Sequence, residues 1–140
     1  MYTPHTVTLI IADETDDGMN YNSVVLSGVF LDRSKRSNIN RSGLADADSA
    51  TLFIPMDIEA DKQYLPPKEY RANEHKEDYW TLFDGGEISG AECYFVKGIV
   101  EPLPYAQARE QYDACYHVTT VDERDFGHNT KMWHWMVGGR

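Results

Sequence analysis

Hydrophobic and polar positions alternate most clearly in the stretch Asp48-Ser49-Ala50-Thr51-Leu52-Phe53-Ile54-Pro55-Met56. Leu52, Ile54 and Met56 share one face and Thr51, Phe53 and Pro55 the other, the period of a well-buried strand. Proline has no N–H to give to a ladder, so the pattern predicts a central strand that stops at Pro55. An irregular run from Asp57 to Lys76 follows it, and the polar segment Asp32 to Asp48 precedes it.

Upstream, Val7, Leu9 and Ile11 alternate with Thr6, Thr8 and Ile10, which predicts a first strand. The run Asp13-Glu14-Thr15-Asp16-Asp17-Gly18 reads as the turn after it. Tyr21 to Leu31, rich in valine and aromatics, should be the returning arm of a hairpin, with Gly28 at a bulge or close backbone approach. Residues 32–48 carry Ser, Asn, Arg and Gly punctuation with no sustained period, the composition of a long exposed loop.

Downstream, Tyr64-Leu65-Pro66-Pro67-Lys68-Glu69-Tyr70 is no regular sheet, and Pro67 is suited to opening a short helical turn in a crossing segment anchored by tyrosines. Tyr79 to Phe83 predicts a short strand, Asp84-Gly85-Gly86 a turn, and Ala91 to Val100 another strand ended by Gly98 and Pro102. Pro104 suits the first position of a helix over residues 104–115. Tyr105, Ala108, Tyr112 and Cys115 form its apolar stripe, about three turns long. Alternation returns over Tyr116 to Asp122, with Val118 on one face and Val121 on the other, and Met132 to Val137 makes a last apolar strand within a C-terminal region spanning 116–140. Short strands with turn chemistry between them predict one mainly β domain over 1–140. The expected architecture is a small antiparallel barrel or sandwich with one amphipathic helix and a long projecting loop.

Composition changes this picture little. The 140 residues suit a single domain with its own core. No apolar run approaches the ~20 residues of a membrane span, and Met1 to His5 lacks the basic and apolar parts of a leader, so a chain made in the cytosol with no membrane role is expected. Cys93 and Cys115 are too few for a disulfide scaffold and read as reduced, partly buried thiols. The net charge of −10 disfavours phosphate-neutralising nucleic-acid binding. Against that charge, Arg33, Lys35, Arg36 and Arg41 cluster within the long loop with no acid among them, a patch suited to an acidic partner surface.

Catalytic signatures are scarce. The chain has no Gly-rich phosphate loop, no serine nucleophile elbow and no His-Glu-x-x-His helix. Asp46-Ala47-Asp48-Ser49 alternates oxygen ligands but lacks the glycine and glutamate of a calcium loop. Cys115, His117, His128 and His134 are the best zinc set, with Cys115 and His117 on one strand face, and Asp122, Asp125 and His128 a weaker hydrolytic one. Neither spacing defines a site, so no residue is assigned a catalytic, cofactor-binding or metal-binding role. The aromatics say more. Tyr64, Tyr70, Tyr79, Trp80, Trp133 and Trp135 exceed what a small core readily absorbs, and with the arginines they are candidate interface anchors. The alternative is that they pack under the long loops.

Three stretches carry a resemblance: Val24 to Val29, Ser42 to Pro55 together with Tyr64 to Glu69, and Tyr79 to Leu82. Val118 to Asp122 and His134 to Gly139 extend it over most of the chain. They resemble a family of small proteins encoded in the head-and-tail gene clusters of tailed phages and prophages, chiefly of Gram-positive bacteria. The resemblance implies a non-enzymatic virion protein without a catalytic list, of head–tail connector or stopper type, with tail terminator and minor capsid or capsid-decoration roles as alternatives. Stoppers of that group are small barrels with a projecting loop, assembled as rings, whereas the helix and the strands after it are an addition here. Implied partners are further copies of the chain, neighbouring virion proteins, and DNA passing without specific binding. Implied locations are the host cytoplasm during assembly and then the virion. In such a ring the acids Asp13, Glu14, Asp16 and Asp17 would face the channel and the basic loop a neighbouring ring. Two other classes stay open. A module for a soluble ligand or host factor would have an apolar pocket near Trp80, Tyr94 and Trp133, and a zinc enzyme would use the Cys/His set.

Overall fold

The computed structural model describes residues 3–16, 18–34, 49–84, 90–125 and 127–140. Six strands close into an antiparallel barrel in the order β1-β2-β3-β8-β7-β6. They are β1 (His5–Thr15), β2 (Gly18–Ser34), β3 (Ser49–Pro55), β6 (Ala91–Lys97), β7 (Cys115–Arg124) and β8 (His134–Gly139). β4 (Gln63–Tyr64) and β5 (Tyr79–Trp80) pair in parallel as a separate two-stranded sheet. Among the described residues there are also two short α-helices, α1 (Pro67–Ala72) and α2 (Tyr105–Gln111), and two 3-10 turns at Lys76–Asp78 and Thr130–Met132. The expected mainly β fold is what the chain adopts.

The strand at Ser49–Pro55 is central as expected, paired with β2 on one side and β8 on the other. Leu52 and Ile54 point into the barrel with Val7, Leu9, Ile11, Leu26, Phe95, Val118 and Val137. Completely burying side chains of this size contributes about 1.5–3 kcal/mol each. β1 is buried on both faces. Val7, Leu9 and Ile11 face the barrel interior, while Ile10 and Ala12 meet Tyr94, Val96, Ala108 and Cys115 beneath α2. Thr8, the polar residue in that run, donates its hydroxyl to Gly98 O at 2.9 Å and accepts from Val100 N–H at 3.1 Å.

Gly28 occupies the bulge that the sequence suggests. The β1–β2 register jumps from His5↔Val29 to Thr6↔Ser27, leaving Gly28 unpaired at φ 87°. The extra residue restores inward parity, so Val24 and Leu26 before it and Val29 and Leu31 after it all reach one core.

Five expectations are corrected. β1 continues to Thr15, so Asp13 lies within a strand and not in the turn. The helix α2 stops at Gln111 because Cys115 is already paired with Val96 in the β6–β7 ladder, and Ala114 O accepts from Lys97 N–H. The stripe Tyr105, Ala108, Tyr112 and Cys115 still packs as one group, delivered by a helix, a link and a strand. Val118 and Val121 do not take opposite faces: the β7–β8 register shifts between Val118↔Gly139 and Thr120↔Gly138, and both valines pack on the same core. The predicted strand at Tyr79 to Phe83 is paired only at Tyr79 and Trp80. Of the long loop, residues 32–34 are strand, paired with Ser49 to Thr51, and residues 35–48 lie outside the described residues. So do residues 85–89, which include most of the predicted Asp84-Gly85-Gly86 turn.

Candidate interaction surface

Residues 56–84 leave β3 at Pro55 and cross one end of the barrel. The crossing starts with Met56 N–H bonded to Trp133 O at 2.9 Å. Pro66 and Pro67 then force a corner, and Pro67 opens α1 as its sequence predicts. α1 delivers Tyr70 into the barrel mouth, fully buried and edge-on to Phe83 with ring centroids 5.8 Å apart. Trp80 follows, 1% exposed, against Trp135 at 5.5 Å and Tyr64 at 5.0 Å.

This end of the barrel is tied down by polar groups. Asn22 donates its Nδ2 hydrogens among the Tyr70 hydroxyl at 3.1 Å and the carbonyls of Lys76 and Tyr79, both at 2.8 Å. Lys62 Nζ donates to Asn22 Oδ1 at 2.5 Å and to Ser23 O at 2.7 Å. Asp13 Oδ2 accepts from Lys76 Nζ at 2.8 Å, and Arg71 Nε approaches Oδ1 at 3.3 Å without completing a hydrogen bond. Burial lowers the Lys62 pKa despite the nearby Asp78, Glu77 and Asp61. Burial likewise pushes the Tyr64 and Tyr70 phenols up to about 12, and the Cys93 thiol, which accepts from Phe83 N–H, also to about 12.

The residues proposed as interface anchors therefore divide. Tyr70, Trp80 and Trp135 are core, because the crossing segment folds them over the barrel mouth, while Tyr64 and Trp133 are half-buried. Packing under a long connection, the alternative reading of these aromatics, describes this group. Arg33 is exposed on β2 opposite Ala50; Lys35, Arg36 and Arg41 lie outside the described residues. Asp13, assigned to a channel surface, is 1% exposed and paired internally. Glu14 and Asp16 are exposed, and Asp17 is outside the described residues.

The zinc set is not assembled. His117 Nε2 sits 3.1 Å from Glu92 Oε2 with its ring against Tyr105, whereas His134 Nδ1 lies 2.9 Å from Met132 O with its ring against Phe53. Cys115 does lie near His117 on the outer wall, but it is buried under α2 and its thiol is raised to about 11 by burial. Among the described residues no group of three or more His, Cys, Asp and Glu side chains is placed to hold a metal ion. Of the weaker hydrolytic set, Asp122 stands 4.0 Å from Arg124, and Asp125 and His128 are exposed. Asp46 and Asp48 lie outside the described residues. The trio Trp80, Tyr94 and Trp133 does not surround one pocket either: Tyr94 packs with α2 on the outer wall, its hydroxyl bonded to Leu103 O.

Two hollows meet at Tyr64. The first, about 540 Å³, is lined by Met56, Ile58, Glu59, Asp61, Trp80 and Trp135 among others. The second, about 680 Å³, is lined by Pro66, Pro67, Leu82, Val121 and Glu123 with Lys68, Glu69 and Asp84. On the outer wall a row of rings crosses four strands, His5–Phe30–Phe53–His134, with centroids 5.6, 5.9 and 5.7 Å apart. Sequence reasoning missed the Asp13–Lys76 and Asn22–Lys62 contacts. Their signal was parity, since Asp13 continues the inward series Val7, Leu9, Ile11, and Asn22 begins the inward series that Val24 and Leu26 continue.

Fold and surface together define a six-stranded antiparallel barrel, closed at one end by its own chain and bordered there by an acid-rimmed aromatic groove. The chain belongs to DUF6751, a family of unknown function, whose model matches residues 2–140. No curated protein and no solved structure matches it.

Proposed function

We propose that this protein is a non-enzymatic structural component of a tailed-phage virion, a ring-forming head–tail connector of the stopper type. The observation that carries the reading is the β2–β3 hairpin of a closed barrel. Its two arms remain paired out to Ser34↔Ser49, and the basic segment Arg33 to Arg41 is strung between them. A closed barrel has no free sheet edge of its own to pair with, so contacts made by its wall use side chains and connections. This hairpin supplies a charged one. The ring row His5–Phe30–Phe53–His134 supplies half-buried aromatic area on the outer wall for a subunit contact. A net charge of −10 suits a ring through which a duplex slides without phosphate contacts.

Light scattering across a concentration series, at low and high salt, tests the reading. The wild-type chain is expected to form a ring-sized species, and the combined Arg33→Ala, Lys35→Ala, Arg36→Ala, Arg41→Ala variant a smaller one. A wild-type monomer under every condition would remove the ring.

A further inference from the structure

The groove at the closed barrel end and the basic segment at the other end of β3 are complementary. Glu59 and Asp61 border the first hollow and Glu69, Asp84 and Glu123 the second, with Tyr64 between them and the buried Trp80 and Trp135 beneath the first. Two cations also line the groove. Lys62 is turned inward onto Asn22 and Ser23, which leaves Lys68 to offset five carboxylates. Trp80 and Trp135 are buried and form only the floor, so the half-buried Tyr64 is the ring a cation can reach, and a carboxylate rim around it suits guanidinium and ammonium groups. The segment Arg33-Ser34-Lys35-Arg36-Ser37-Asn38-Ile39-Asn40-Arg41 carries four such cations and no acid.

We infer that the groove over Trp80, Tyr64 and Trp135 receives the basic segment Arg33 to Arg41 of a second copy of this chain. The inference rests on the ring reading and gives that ring its subunit contact. Polarity argues for a second copy. The basic segment rejoins the barrel at Ser49, the first residue of β3, and the groove begins at Met56, just past its last, so a strand of seven residues separates the two ends. That is about 20 Å along the barrel. The β2–β3 ladder leads away from the groove, so one subunit's hairpin meets the next subunit's groove head to tail. Such a heterologous contact uses different patches on its two sides and closes into a ring when its rotation allows.

A synthetic peptide of residues 33–44, titrated into the full chain diluted until light scattering shows monomer, so that no neighbour fills the groove, and followed by tryptophan fluorescence and calorimetry, tests the contact directly. Three chains are compared: wild type; the groove variant Glu59→Lys, Asp61→Lys, Glu123→Lys; and a control, Glu101→Lys, Glu110→Lys, Asp113→Lys. All six acids are exposed, so both variants should fold, and both change net charge equally. The groove variant is expected to bind the peptide at least about tenfold more weakly than wild type, and the control within about threefold. No binding to wild type, or equal weakening in the two variants, overturns the inference. Light scattering on the same chains across a concentration series separates the two readings. A wild-type ring that persists in the groove variant removes the groove contact and leaves the ring. A wild-type monomer at every concentration removes the ring and, with it, the second copy as the occupant.

Discussion

Lys76 Nζ stands 2.8 Å from Asp13 Oδ2, joining the crossing segment to the end of β1 across 63 residues of chain. The carboxylate side chain is 2% exposed and the lysine 17%. The lysine can still reach water when unpaired, but the carboxylate cannot. Losing either partner is therefore unequal in cost.

Lys76→Met should destabilise the fold by about 2 kcal/mol, since it leaves the buried carboxylate with Arg71 as its remaining ion-pair partner, and Asp13→Asn by about half that. The double variant should cost clearly less than the two together, because the residues are in contact. Urea unfolding of the four chains checks this. Strict additivity would mean that the pair does not couple segment and barrel.

Gly139 has no room for a side chain. A Cβ there would meet Phe95 Cζ at 2.9 Å and Tyr116 Cβ at 3.0 Å, both part of packed core groups. Gly139→Ala should cost about 2 kcal/mol by overpacking. At Gly18, φ is 111° but nothing lies within 4 Å, so Gly18→Ala should lose only the smaller backbone term, about 1 kcal/mol. Thermal unfolding of the two variants should rank them in that order.

Stability should fall in alkali. Cys93, Tyr64 and Tyr70 have folded-state pKa values of about 12, raised from 9.0 and 10.0. Groups raised in this way hold their protons more tightly when folded. Their contribution is complete below pH 9 and is lost as pH rises toward 12. Lys62, with its pKa lowered, acts in the opposite sense near 10.5 and softens the decline. Tyrosinate absorbance of the tyrosines should rise in two parts, with the later part coincident with loss of the near-ultraviolet circular dichroism. Full ionisation with the fold intact would contradict the burial of both phenols.

Thiol reagents should find little to attack. Cys93 is 1% exposed and Cys115 6%, with both thiols raised by burial. At pH 8 neither should react at an appreciable rate until the protein unfolds, when both should react together. Rapid labelling of Cys115 in the native protein would show that α2 lifts from β7.

Alternation along the chain by itself determined where the barrel strands lie, the end of β3 at Pro55, the Gly28 bulge and the opening of α1 at Pro67. Each follows from local chemistry: a period of two, a missing N–H, a positive φ and a preset φ. The tertiary structure decided the rest. The β6–β7 ladder ended α2 before its apolar stripe was complete, and a second bulge brought Val121 to the face of Val118. The barrel mouth drew Tyr70, Trp80 and Trp135 inside and left an acid-rimmed groove over them. Asp13 and Asn22 already had inward parity in the sequence, but their partners Lys76 and Lys62 stand 63 and 40 residues away. Periodicity reports which face a residue takes, and only closure of the barrel brings its partner to that face.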